Sequence, residues 1–168
     1  MMMTTGVVLG GEAMPNNEAL RLVAIDLAWR MYGTPYIWGG DDMIAGFDCS
    51  GMQVEILQSV GILPAGDWTA ATLAGRLMHH EVFLQAPGCL VFWETSQGYI
   101  RHVEMCIGNW LSIGASGGGK DIRDQFDDNG YLVRTALQAA IEHNAFVKVR
   151  PIEGRGRIRG YFDPFKEV

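Results

Sequence analysis

The hydrophobic pattern changes period after residue 80, and this change limits the possible folds more than any other feature of the chain. Before it, apolar residues recur at helical spacing in segments 18–32 and 49–60, and a shorter helix is predicted within 67–80. After it, five segments alternate with period two, as strands do: 88–94, 101–108, 109–116, 146–152 and 157–162. Helices followed by successive strands predict an α+β fold, with N-terminal helices packed on a meandering antiparallel β-sheet.

Capping residues indicate where these helices begin and end. Asn16 or Asn17 can cap the first helix, whose apolar face is predicted at positions 20, 23, 27 and 31. Asp48 can cap the second helix, and Gly61 ends it. A connecting helix is predicted at 134–143, between the later strands.

Length and charge narrow the possible functions. The 168 residues suffice for one packed domain, predicted to span 1–168 with a loose N-terminal segment at 1–15. The net charge is −6 without a long basic run, which argues against a nucleic-acid partner, because phosphate neutralisation needs a concentrated positive surface. We interpret the one local basic cluster, RPIEGRGRIRG (150–160), as the solvated face of a terminal hairpin.

Membrane and secretion signals are not evident in the sequence. No apolar stretch approaches the ~20 residues that span a bilayer, so no membrane span is predicted. The segment MMMTTGVVLGGEAMP lacks the basic region and the long apolar core of a signal peptide, so we expect synthesis in the cytoplasm without a leader. Three cysteines are few and odd in number, which favours a reduced chain with at most one reactive thiol over a disulfide framework.

Cys49 lies in the segment GFDCSG (46–51), directly after the predicted capping residue Asp48. A thiol in the first turn of a helix lies near unpaired backbone N–H groups and the positive end of the helix dipole, which favour thiolate over thiol. The same N–H groups can stabilise the oxyanion of an attacked carbonyl. Cysteines without chemistry also occur at helix starts, so the assignment depends on finding a base.

Four histidines could supply that base. His79, His80 and His143 fall at predicted helix ends, where a solvated histidine near the negative end of the dipole is the ordinary role. His102 opens a strand on which residues 102, 104 and 106 face one way, and the alternate residues face the core. An imidazole on a strand opposite a thiol on a helix is how a Cys–His pair is assembled, although a surface histidine at a strand start is the alternative.

Two further motifs do not predict sites. His79, His80 and Glu81 are adjacent and point in different directions on a helix, so neither a metal site nor a cofactor is predicted. The segment GASGGGK (114–120) lacks the Gly-Lys-Ser/Thr ending of a phosphate-binding loop. We interpret this segment as a flexible rim of the cleft.

Four segments in order resemble the NlpC-type cysteine peptidases of bacterial cell walls: GTPYIWGG (33–40), GFDCSG (46–51), APGCLVFW (86–93) and RHVEMCIGN (101–109). The resemblance extends over residues 18–116 of the sequence. It implies a papain-like fold, hydrolysis of peptide bonds in the stem peptides of peptidoglycan, and no metal or organic cofactor. It also implies Cys49 as the nucleophile, His102 as the general base, and Tyr36 with its hydroxyl beside the thiolate or the oxyanion.

The resemblance also indicates residues on the substrate side. Asp48 would anchor the start of the helix, and Ser50 would let the chain turn tightly around the nucleophile, so both are expected next to bound substrate. Trp38 and Trp68 fall in loops near Cys49 and are predicted to line the substrate groove.

The chain departs from the family pattern at three positions. Gly114 lies in IGAS where the family often has IHAS, whose histidine orients the catalytic histidine. Glu104 replaces a usual glycine on the predicted face of His102, and its carboxylate either supports the imidazolium or is solvated at the cleft edge. Cys89 replaces a common acid, and we interpret Cys89 and Cys106 as packing residues.

The predicted function is a thiol-dependent hydrolase that cleaves amide bonds in peptidoglycan stem peptides at the bacterial cell wall. The SGGG loop followed by NAFVKVRPI, without a signal peptide, resembles phage-encoded members, which predicts an endolysin or a virion-borne enzyme with phage tail proteins as partners. An amidase or acyltransferase on another acyl group is one alternative. A non-catalytic tail or binding module, favoured by Gly114, is the other.

Overall fold

The computed structural model describes residues 16–166, which form helices packed against an antiparallel sheet. Within that range the helices are α1 (Asn16–Arg30), α2 (Cys49–Ser59), α3 (Ala70–Arg76) and α4 (Ala136–Glu142). The strands are β1 (Asp41–Asp42), β2 (Gly46–Phe47), β3 (Glu81–Val82), β4 (Leu90–Glu94), β5 (Ile100–Gly108), β6 (Leu111–Ser116), β7 (Gln125–Phe126), β8 (Leu132–Arg134), β9 (Phe146–Pro151) and β10 (Arg157–Phe162).

The predicted α+β class is confirmed, and the loose segment predicted at 1–15 lies outside the described residues. No helix in residues 16–166 is long and apolar enough to cross a membrane.

The main sheet has six strands in the order β3-β10-β4-β5-β6-β9, and all neighbouring pairs are antiparallel. The consecutive strands β4, β5 and β6 form the predicted meander. The predicted terminal hairpin is wrong, because β10 inserts between β3 and β4 while β9 pairs with β6 at the far edge. The connection at residues 152–156 therefore crosses the sheet.

The two faces of the sheet bury different side chains. Val103 and Met105 belong to the main core with Met52 of α2, so the predicted orientation of this face of β5 is confirmed. On the other face, Cys89 and Cys106 are buried in a second cluster that also includes Trp93 and Ile152. Their interpretation as packing residues is confirmed.

The buried side of helix α1 and the residue after it agrees with the predicted face at positions 20, 27 and 31, but not at position 23. Ala24, Ala28 and Met31 are buried, whereas Val23, which was predicted to face the core, is 50% exposed. Leu27 is only partly buried against the core. The small alanine side chains let the helix approach its neighbours closely, which explains the rotation of the buried stripe toward them.

The start of α2 packs closely against the preceding loop. The Asp48 carboxylate accepts the Gly51 N–H at 2.7 Å, which confirms the predicted cap. The Asp48 N–H donates to the Gly40 carbonyl at 2.8 Å. A Cβ atom on Gly51 would lie 2.1 Å from that same carbonyl oxygen, so only glycine fits at this contact. The loop that carries Tyr36 is thereby held beside Cys49.

Gly51→Ala should lower the free energy of unfolding by about 1–3 kcal/mol, because the added methyl group meets backbone rather than a movable side chain. The matched control is Gly75→Ala in α3, where a Cβ atom meets nothing within 4 Å. That change should leave stability unchanged or raise it by about 0.5–1 kcal/mol through helix propensity. Urea denaturation measures both, and parental stability in Gly51→Ala would contradict the close packing of the loop on α2.

Candidate active site

A cleft of about 590 Å³ opens where the start of α2 meets the first residues of β5. It is lined by six of the residues that the sequence analysis singled out: Tyr36, Trp38, Asp48, Cys49, Ser50 and His102. Segment 114–120, interpreted as a rim, contributes residues 116, 117 and 119 to the lining. The fold therefore brings a thiol on a helix and an imidazole on a strand into one concave site.

Cys49 is the first residue of α2 and is partly exposed, although its sulfur is largely enclosed. Burial, reinforced by the Asp48 carboxylate, raises the pKa of the Cys49 thiol to about 12, despite the backbone N–H groups of Val103 and Ser50, which lower it. Because Val103 follows His102 in β5, this contact places the sulfur beside the strand segment that carries the imidazole.

The prediction that the helix start favours the thiolate is wrong for the resting protein. The N–H groups at the start of α2 act in the predicted direction, but desolvation of the charged form outweighs them. Burial also raises the pKa of Cys89 and of Cys106, so acidity does not distinguish Cys49 from the other thiols. Access to the cleft distinguishes Cys49 from Cys89 and Cys106, since both of those are buried away from the cleft.

His102 is held by the carboxylate two residues along its own strand. Glu104 Oε1 lies 2.8 Å from His102 Nε2. An ionised carboxylate only accepts, so Nε2 carries the proton and Nδ1 is the nitrogen free to accept another. Glu104 is 0% exposed, so its interpretation as a solvated residue at the cleft edge is wrong. The structure instead shows the direct contact that a supporting role requires.

Gly114 provides the space that Glu104 occupies. A Cβ atom on Gly114 would lie 2.4 Å from Cγ of Glu104. The orienting side chain therefore comes from position 104 on β5 instead of position 114 on β6. The large side chain at position 104 therefore fits only because position 114 has none.

A cage of donors around Glu104 was missed by the sequence analysis. Arg155 Nη1 donates to Oε2 at 2.7 Å while its Nη2 binds Oε1, and the Ser112 hydroxyl donates to Oε2 at 2.7 Å. Arg150 Nη2 lies 3.3 Å from Oε1. Burial alone would raise the pKa of Glu104, but hydrogen bonds from Arg155 and His102 hold it at about 2.

The interpretation of residues 150–160 as a solvated face is therefore wrong for Arg150 and Arg155. The signal that could have identified them is Glu104 itself. An acidic residue at a strand position that faces a buried layer requires a cation, and this segment holds the one local basic cluster.

Tyr36 and Trp38 occupy different depths of the cleft. Burial, together with nearby Cys49 and Asp48, raises the pKa of Tyr36, so its hydroxyl keeps its proton and can donate. Trp38 is 45% exposed at the rim, where the Lys120 ammonium lies 5.9 Å from the centre of its ring.

The prediction that Trp68 lines the groove is wrong. Trp68 packs against the main core, with the Arg76 guanidinium 5.7 Å from the centre of its ring, and it is not among the residues that line the cleft. The cleft is lined instead by the residues that follow Trp68 in the chain: Thr69, which caps α3, and Ala70 and Ala71 in the first turn of that helix.

Helices packed on an antiparallel sheet, with a cysteine at a helix start and a histidine on a facing strand, define a papain-like α+β domain. The chain belongs to the NlpC/P60 family, whose model matches residues 33–141. The papain-like class predicted from the sequence is thereby confirmed. Arg150 and Arg155 lie outside the matched region.

Solved structures share this fold. The NlpC/P60 domain of the peptidoglycan hydrolase SagA is 23% identical with a TM-score of 0.57, over 85% of this chain and 97% of that chain. The peptidoglycan hydrolase RipB of Mycobacterium tuberculosis is 22% identical with a TM-score of 0.60, over 97% of this chain and 76% of that chain. These likenesses are evidence for the fold.

A curated relative is similar in sequence. Protein P54 of Enterococcus faecium is 34% identical over 97 residues, which are 57% of this chain and 18% of that protein. The chain therefore spans a minor part of the length of this relative.

In the native protein, limiting iodoacetamide should label Cys49 and spare Cys89 and Cys106, which should react only after unfolding. Because the pKa of the Cys49 thiol is about 12, its labelling rate should rise about tenfold per pH unit between about pH 7 and 10. Peptide mapping by mass spectrometry measures site and rate. A rate that is flat with pH across this range would reveal a preformed thiolate and contradict the buried neutral thiol.

Proposed function

We propose that this protein is a cysteine peptidase that hydrolyses amide bonds in the stem peptides of bacterial peptidoglycan. The observation that carries the proposal is that Cys49 and His102 line one cleft, with Nδ1 of the imidazole left free by the contact between Nε2 and Glu104. Membership of the NlpC/P60 family supports the substrate, since SagA and RipB are named as peptidoglycan hydrolases.

In the first step, the thiol adds to the amide carbonyl. The Cys49 proton passes to Nδ1 of His102 as the sulfur–carbon bond forms, and the carbonyl π electrons move onto the oxygen. The Cys49 N–H has no acceptor among the described residues, so it can donate to this oxyanion. The Tyr36 hydroxyl is the second available donor.

In the second step, the carbon–nitrogen bond breaks. The imidazolium returns its proton from Nδ1 to the departing amine, which leaves a thioester on Cys49. Water then gives a proton to His102 and attacks the thioester, which releases the acid and regenerates the thiol. Glu104 remains ionised throughout because its pKa is about 2, so it stabilises the imidazolium without taking the proton.

The two alternatives differ in how much support they retain. The non-catalytic module was favoured by Gly114, and the contact between Glu104 and His102 removes that reason. An amidase or acyltransferase would use the same Cys–His chemistry on a different acyl group. A panel of small amides and esters, run beside purified cell wall, separates that alternative from the proposal.

Digestion of purified peptidoglycan should release new amino groups and shortened peptides without new reducing ends. A glycosidase needs two carboxylates that flank the bond, whereas Asp48 is the one carboxylate among the described residues that line the cleft, and it caps α2. Mass analysis of the fragments checks this result, with Cys49→Ala as the control. New reducing sugars from the parent protein that are absent with Cys49→Ala would contradict a peptidase.

His102→Ala should lower kcat/KM for wall hydrolysis on the order of 10²-fold or more, because it removes both the base and the proton donor. His143→Ala is the matched control, since His143 lies at the end of α4 outside the cleft and should leave activity unchanged. Assays on the same wall preparation compare the two variants. Near-parental activity in His102→Ala would assign the base to another residue.

The cellular setting stays a prediction from the sequence. We propose that the protein acts at the bacterial cell wall after synthesis in the cytoplasm. An endolysin or tail-associated role, with phage tail proteins as partners, is predicted from the glycine-rich loop and the segment after it.

A further inference from the structure

The guanidinium of Arg155 contacts four groups at the site, one of which is the Ser112 hydroxyl, 3.4 Å from Nη1. It binds both carboxylate oxygens of Glu104 and lies 3.3 Å from Nε2 of His102. It also lies 4.6 Å from the centre of the Trp93 ring, which is itself 5.4 Å from the centre of the imidazole. Arg155 also lines the cleft, whereas Glu104 does not, so the guanidinium lies between the buried carboxylate and the cleft.

The connection at residues 152–156 holds Arg155 in this place. Ile152 is buried in the second cluster, and its N–H donates to the Trp110 carbonyl at 2.9 Å. The Arg155 carbonyl accepts from Arg101 Nη2 at 2.8 Å. Gly156 has a φ of 123°, a backbone conformation that favours glycine. The segment is therefore fixed at both ends.

We propose that Arg155 is a positioning residue of the catalytic centre: it fixes Glu104 so that the carboxylate holds His102 with its proton on Nε2, and its positive charge offsets the carboxylate charge felt by the imidazole. The kinetic part of this proposal rests on the proposed function. The tautomer of His102 does not, because it can be measured without substrate.

The charged groups around the His102 ring determine whether Arg155 favours or disfavours its protonation. Glu104 and Arg155 contact the imidazole directly. The other charged or titratable groups that line the cleft with His102, or bind Glu104 beside it, are Tyr36, Asp48, Cys49, Arg101 and Arg150. A carboxylate alone beside the ring favours imidazolium, and a guanidinium at 3.3 Å disfavours it. Ser112 and Arg150 still bind Glu104 when Arg155 is removed, so the carboxylate keeps its charge. Loss of the guanidinium should therefore make the ring easier to protonate, so that a larger fraction of the enzyme carries imidazolium and is inactive near neutral pH.

The first experiment is nitrogen NMR of the histidine ring in the substrate-free protein. The parent should show His102 in one tautomer, protonated on Nε2, whereas Arg155→Gln should show exchange between tautomers or between ring orientations. Arg159→Gln is the matched control, because Arg159 pairs with Glu81 at the surface and should leave the His102 signals unchanged. Identical His102 signals in the parent and Arg155→Gln would overturn the positioning role.

The second experiment is a pH–rate profile on purified peptidoglycan. Arg155→Gln should lower kcat on the order of tenfold or more with little change in KM, and should move the acid limb of the profile upward by roughly one unit. Arg155→Lys should restore the acid limb, because it keeps the charge, but should restore kcat only in part, because it cannot bind the carboxylate through two parallel bonds. Arg159→Gln should match the parent in both measurements.

The outcomes distinguish the two proposals. A parent without wall hydrolysis would defeat the proposed function, while the ring signals would still decide the positioning role. An unchanged acid limb in a folded Arg155→Gln variant would overturn the charge effect. If Arg155→Gln does not fold, Arg155→Lys serves in its place, and a parental kcat in that variant would overturn the requirement for the paired bonds.

Discussion

A buried carboxylate determines how the functional side of this structure is assembled. Glu104 is fully enclosed, and a buried charge left without partners costs several kcal/mol. Its partners come from three directions: Ser112 on the adjacent strand, Arg150 on the edge strand and Arg155 on the connection that crosses the sheet. The insertion of β10 between β3 and β4 is therefore functionally significant, because it carries residues 152–156 over the carboxylate.

The same carboxylate accounts for two departures from the pattern of the family. With Gly114 lacking a side chain, Glu104 can reach the imidazole from its own strand. The orienting contact then joins residues two apart on β5, and the register between β5 and β6 sets Gly114 beside Glu104 so that the carboxylate has room. This arrangement requires the cage of donors around Glu104, because a buried carboxylate needs cations nearby and a neutral orienting residue would need none. A change at two strand positions thus requires the participation of a segment near the end of the chain.

The sequence predicted what depends on local pattern, and it failed where distant segments decide. Alternation located five of the six strands of the main sheet to within a few residues and missed the two-residue strands, and the capping motif placed Cys49 at the start of α2. Alternation also gave the face of β5 on which Glu104 lies, but it could not show that another segment covers that face. No local pattern in the sequence shows which strands lie beside β10. The sequence therefore could not predict that Arg155 lies over Glu104. Trp68 and the Cys49 thiol failed for a related reason, since burial is a property of the assembled fold.

The thiol and the carboxylate on either side of His102 are held in opposite protonation states. Burial keeps the Cys49 thiol protonated, with a pKa of about 12, while the donor cage keeps Glu104 ionised, with a pKa of about 2. Burial disfavours the charged form of the Cys49 sulfur, so a free thiolate in the empty cleft is unfavourable. In the proposed mechanism, proton transfer to His102 therefore accompanies formation of the sulfur–carbon bond, when the charge moves from sulfur to the carbonyl oxygen. Donors at the Cys49 N–H and Tyr36 hydroxyl meet the charge at that oxygen, so the nucleophile is generated only when an acyl group is in place.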